Sequence, residues 1–181
     1  MACWNVIDHT ELASGANSYT KSSIPSSYDH LYFVASVRTD AAVYTDYSEF
    51  EFNADTSNAN YSFTNLVAMT STPDSNNDST SSSMSLYGGE VCGASMLADT
   101  FSTVEMWIPN YANTSNFKSA LTTVTTPNNS TTDYRWGLWQ AANLWHSTAA
   151  INELKYFVRD IGGDDFVQYS TFTLYGINGA G

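Results

Sequence analysis

Along most of this chain bulky apolar residues alternate with polar ones, the two-residue period of a β-strand rather than the 3.6-residue period of a helix. The stretch YDHLYFVASVRTD (28–40) shows it best: Leu31, Phe33, Ala35 and Val37 point one way, and Tyr32, Val34, Ser36 and Arg38 the other. Apolar groups on both sides mark a central strand, with one face on a core and the other partly covered. The same period sets Trp4 and Val6 on one face of WNVIDHTEL (4–12), and Phe50 and Phe52 against Glu49 and Glu51 in SEFEFNAD (48–55). Tyr61, Phe63, Val67 and Met69 share a register that Asn65 interrupts. Val104, Met106 and Ile108 point inward in STVEMWIPNY (102–111), which Pro109 closes. Further short strands are expected around Gly88 and Gly89, and in 116–127, 132–140 and 151–160.

The closing stretch STFTLYGI (170–177) puts Phe172, Leu174 and Gly176 on one face and Thr171, Thr173, Tyr175 and Ile177 on the other. Bulky groups on both sides suit a position inside a sheet, beside an N-terminal strand. Gly176 then permits a bend or a close approach. Two segments depart from the pattern. Residues 70–83 hold no hydrophobe and contain Pro73, which predicts an exposed loop. In 137–154 some apolar residues fall three and four apart, so a short helical turn over 140–145 and a loop across a sheet edge are both open. Eight to ten short strands separated by Ser/Asn/Gly/Pro turns predict an all-β protein. Its expected form is a single antiparallel β-sandwich or barrel domain over 1–181, with at most one short helix.

Composition supports a folded domain: 181 residues suffice for one core, and 43% apolar residues with 14% aromatics exclude a disordered chain. Only 13% of residues are charged. Ser, Thr and Asn supply much of the polar surface, which favours strands and turns over helices. The net charge of -12, from 18 acidic and 6 basic residues, repels phosphate backbones and anionic lipids. Direct nucleic-acid and membrane partners are therefore not expected, whereas a basic protein partner is compatible. Cys3 and Cys92 are too few for a disulfide framework and read as two small buried hydrophobes rather than a pair. The first residues show no secretion signal, and no apolar run approaches membrane-spanning length. The sequons at Asn60, Asn77, Asn113, Asn128 and Asn129 follow from an Asn/Ser/Thr-rich chain.

Catalytic signatures are missing. There is no Gly-x-Ser-x-Gly elbow, phosphate loop, His-Glu-x-x-His or Cys-x-x-Cys, and His9, His30 and His146 are scattered. Non-enzymatic function is the expectation. The turn RDIGGDD (159–165) offers Asp160, Asp164 and Asp165 as hard oxygen ligands for calcium, and a solvated hairpin turn explains the same residues. Trp136, Trp139 and Trp145 lie close in sequence beside Tyr134. Rings of this kind anchor interfaces or stack on sugars. Trp139 is off the register of Trp136, so an extended segment cannot bury both. Core or loop packing stays open for these rings, and all three are interface candidates.

The two ends carry a further pattern. SSYDHLYFVASVR (26–38) contains a Tyr-Asp-x-Leu strand, and STFTLYGI fits Ser-x-x-x-Leu-Tyr-Gly-Ile. Between them STVEMWIPNYANTSNFKSALT (102–122) is a strand ending in a proline turn, with a second strand starting near a lysine. In these features the chain resembles a family of small structural proteins of tailed bacteriophages. The resemblance implies a jelly-roll or lectin-like sandwich displayed on the virion, assembled in the host cytoplasm, with a role in assembly rather than catalysis. It implies a capsid decoration or cement protein on the head shell, with a tail- or fibre-associated adsorption protein or a carbohydrate-binding module as the alternatives. The partners it implies are the major capsid protein or another virion protein. Association of edge strands points to a homo-oligomer, such as a trimer. Family members place glycine before the serine of the last motif, where this chain has Tyr169.

Overall fold

The computed structural model describes residues 3–69, 72–78, 86–127, 137–159 and 163–179. In chain order its strands are β1 (Cys3–Glu11), β2 (Ser18–Lys21), β3 (His30–Val37), β4 (Thr45–Phe52), β5 (Tyr61–Met69) and β6 (Thr72–Asp78). They continue with β7 (Leu86–Cys92), β8 (Ser102–Pro109), β9 (Lys118–Thr126), β10 (Gly137–Trp145), β11 (Leu154–Val158) and β12 (Thr171–Asn178). The one helical element among the described residues is a 3-10 turn, Asn58–Asn60.

Eight strands trace a jelly roll. β1-β12-β3-β8 lie side by side in one sheet and β2-β11-β4-β7 form the other. The nested antiparallel pairs β1–β12 and β2–β11 fall in opposite sheets, and so do β3–β8 and β4–β7. The chain is thus a long hairpin rolled over its own core. Two insertions enlarge the first sheet. β5–β6 follows β4, β9–β10 follows β8, and β10 pairs with β5. The result is an eight-stranded sheet, β1-β12-β3-β8-β9-β10-β5-β6, over a four-stranded one.

The period-two pattern decides which residues fill the space between. Leu31, Phe33, Val104, Met106, Ile108, Phe172 and Leu174 from the large sheet are fully buried, as are Phe50, Phe52, Leu154, Tyr156 and Val158 from the small one. Rings interlock across the gap: Phe33 meets Phe50 edge-on at 5.2 Å, Tyr156 lies 4.5 Å from Phe50, and Phe166 bridges Tyr156 and Phe172 at 5.2 and 5.4 Å. Each such side chain contributes about 1.5–3 kcal/mol of burial free energy. As expected, β12 lies inside the sheet between β1 and β3. Gly176 permits close approach there, because a Cβ would stand 2.3 Å from the Tyr28 ring.

Several expectations need correction. Residues 140–145 are neither helical turn nor loop but part of β10, held by ladders to both β9 and β5. Small alanines on both faces had broken the alternation, and tertiary pairing overrides so weak a local signal. Within the expected loop 70–83, Thr72–Asp78 forms the edge strand β6 on β5. Pro73 is tolerated there because an edge strand leaves half its backbone groups unpaired. Cys92 is buried, but Cys3 is exposed, and both are free thiols. Glu49 and Glu51 point away from the core as expected yet are largely covered, through ion pairs with Arg159 and Lys155.

Candidate functional site

The large sheet has a second face, turned away from the small sheet, and no described strand packs over it. Its outward residues are the opposite-parity set of the core strands. Cross-strand register lines them up: Val6 is opposite Tyr175, Tyr175 opposite Tyr32, Tyr32 opposite Trp107, and Trp107 opposite Leu121. Five adjacent strands therefore contribute one unbroken apolar row. Trp4 leans over it, with its ring 5.1 Å from Tyr32 and 5.7 Å from Tyr175, both edge-on. Trp107 lies 6.2 Å from Tyr32 and 5.1 Å from the His30 ring. Val6 is 60% exposed, Trp4 55% and Leu121 50%, so much of this row faces water.

Directly beyond Leu121 the row turns small. Ala142 and Thr64 continue it across β10 and β5, and with Ser62, Ser119, Leu144 and Asn77 they line a shallow hollow of about 330 Å³. Short side chains between bulkier ones are the cause of the concavity. His146 borders it, its Nε2 3.2 Å from the Ser62 hydroxyl and its ring 5.8 Å from the exposed Phe117.

A single carboxylate stands within the aromatic row. Glu105 is two residues from Trp107 on the same strand and face, opposite Val34, with the Tyr32 phenol within reach of its charge. Burial first, and then this carboxylate, push the Tyr32 phenol up to about 12. A phenol so placed stays neutral.

The sequence candidates fall elsewhere. Asp160 and Trp136 lie outside the described residues. Trp139 and Trp145 share one register on the inner face of β10 and are both 2% exposed. They are core residues, with no surface left to anchor a partner. Trp145 donates its Nε1–H to Asp55 at 2.8 Å. Although burial opposes it, hydrogen bonds to Asp55 from Trp145, the Ser57 amide and Asn60 hold its carboxyl below the usual range. Asp164 and Asp165 belong to a turn pinned by main-chain bonds. The Asp165 amide donates to Asp40 Oδ1 at 2.8 Å, and the Asp164 carbonyl accepts from Asn17. No three His, Cys, Asp or Glu side chains among the described residues are grouped to hold a metal ion.

One carboxyl near that turn is unusual. Asp46 is 7% exposed, and its Oδ2 has no hydrogen-bond partner. The Thr39 hydroxyl lies against it without a well-formed bond. Desolvation, reinforced by Asp164 and Asp40, raises its carboxyl to about 6 against the lowering effect of Thr39 and the Tyr47 amide. The residues missed by the sequence are Trp4, Tyr32, Trp107 and Tyr175. Their alternation was visible strand by strand, but not that four strands would bring them together.

No protein-family model, curated protein or solved structure matches the chain.

Proposed function

We propose that this chain is a virion structural protein, a decoration protein that docks on the head shell through the outer face of its large sheet. The observation that carries the proposal is the row Val6–Tyr175–Tyr32–Trp107–Leu121, five adjacent strands of apolar groups over which no described strand packs. Aromatic residues concentrate in protein interfaces because they bury much area at little entropic cost. The rings here stand at 50–74° to one another rather than flat in one plane. Rings so tilted interdigitate with side chains better than they stack under a sugar. The jelly-roll path and the terminal Ser-Thr-Phe-Thr-Leu-Tyr-Gly-Ile support the virion assignment. No helix among the described residues is long and apolar enough to cross a membrane.

A second reading, a fibre-associated adsorption protein or carbohydrate-binding module, draws on the hollow beside the row. Its hydroxyl and amide groups from Ser62, Thr64, Ser119 and Asn77 are the kind that hold sugars. The test is sedimentation and imaging of purified virions. The decoration proposal expects the chain to co-migrate in many copies, with its large sheet against the shell. A chain left in the supernatant sinks both readings, density on the fibres selects the second, and a glycan array identifies any sugar bound.

A further inference from the structure

The charge layout of the outer face specifies what the partner must bring. Of the six basic residues, Arg135 lies outside the described residues, and the other five are all engaged. Lys21 pairs with Asp8, Lys155 with Glu51 and Arg159 with Glu49. Arg38 is buried and donates to the carbonyls of Leu97, Thr100, Ala94 and Met96. Lys118 is 2% exposed and donates to the carbonyls of Asn116 and Thr148. No described outward position of the large sheet is Lys or Arg. Glu105 therefore stands among aromatic rings, beside the Tyr32 phenol, with no described Lys or Arg on its face. The other titratable groups on this face are Glu11, His9, His30, His146 and Tyr175.

We propose that Tyr32, Trp107 and Glu105 form a cradle for an arginine side chain of the partner protein, the centre of a basic surface that covers this face. A guanidinium stacks on an aromatic face and pairs its planar fork with a carboxylate, so one residue satisfies both features. Charge selects the occupant: a second copy of a chain with net charge -12 would bring a second Glu105 against the first and no free described cation. Size agrees. Eight strands about 4.8 Å apart, with outward residues spanning about 20 Å, give a face of roughly 700 Å², within the roughly 600–1,000 Å² that each partner buries in a specific complex.

The inference rests on the docking role proposed above, and two arms separate their failures. In the first, N-acetyl-arginine amide is titrated into the isotope-labelled chain by NMR. Saturable shifts are expected at Tyr32, Glu105 and Trp107, weakened roughly tenfold in Glu105→Gln and absent with N-acetyl-citrulline amide, which keeps the shape and loses the charge. Shifts that do not saturate, or that Glu105→Gln and citrulline leave unchanged, overturn the cradle. In the second arm, virions stripped of the chain are re-loaded with wild type or Glu105→Gln. Failure of wild type to re-bind defeats head decoration and leaves the first arm to decide the cradle alone. Equal re-binding of both keeps decoration and overturns the cradle. A wild-type dimer that Trp107→Ala dissociates would place a second copy on the face and overturn the basic-partner assignment.

Discussion

The large sheet carries aromatic rings on both faces, packed at similar distances but to different ends. On the inner face Phe33 and Phe172, with Phe50, Tyr156 and Phe166, are fully buried, their ring centroids 4.5–6.2 Å apart. On the outer face Trp4, Tyr175, Tyr32 and Trp107 stand 5.1–6.2 Å apart with one side open to water. Phe33 and Tyr32 share β3, and Phe172 and Tyr175 share β12, so for these pairs strand propensity and sheet position are the same. Only the covering layer differs. The inner rings have removed most of their area from water and carry stability. The outer rings have removed part of theirs, and the remainder stays available to a partner.

The sharpest way to break that contrast is to delete a ring from each side. Phe33→Ala should cost about 3–5 kcal/mol in urea unfolding, since it empties the centre of the cluster. A loss below about 1 kcal/mol would show that the two faces do not differ in this way. Of the buried polar atoms without a partner, only Asp46 Oδ2 belongs to a carboxyl, and it sharpens the comparison further. Its carboxyl is raised to about 6 in the folded chain from an ordinary value of 3.8, so folding favours the protonated form. Stability from this group is therefore greatest at low pH and declines as pH rises from about 4 through 6. The loss amounts to something on the order of 2–3 kcal/mol by pH 7. Asp46→Asn should recover much of it at pH 7 and flatten this part of the pH profile. An unfolding midpoint at pH 7 that does not rise would contradict the placement.

A smaller gain is expected just before β12. Tyr169 has φ 70°, in the left-handed region, and its side chain is 64% exposed. Tyr169→Gly should remove roughly 1–2 kcal/mol of backbone strain, offset in part by the greater freedom of glycine when unfolded, and so raise thermal stability modestly. An unchanged or lower melting temperature would show the turn is not strained. The smallest effect on folding belongs to the outer row. Trp107→Ala should alter unfolding free energy by no more than about 1 kcal/mol while abolishing attachment to virions. A loss as large as that of Phe33→Ala would make the row part of the core.

Much of this architecture was legible in the chain. Parity alone sorted Leu31, Phe33 and Val37 from Tyr32 and Val34, and it placed β12 inside a sheet through bulky groups on both its sides. The left-handed backbone at Tyr169 was not legible and belongs to the structure alone. The tryptophan cluster rests on closeness in sequence, a poor guide in an antiparallel fold. Trp139 and Trp145, for which core packing and an interface were both open, are buried on the inner face of β10.

What the sequence determined by itself was local: the strand period, which residues share a face, and where glycine and proline relax or end a strand. These depend on backbone geometry within a few residues. Tertiary structure alone decided that β1, β12, β3, β8 and β9 lie side by side, with Val6, Tyr175, Tyr32, Trp107 and Leu121 in one row. Residues 6 and 175 are as far apart in the chain as nearly any pair, and only the rolling of the whole hairpin makes them neighbours. A row of that kind is a property of register between distant strands, and register is settled when the inner face finds its core.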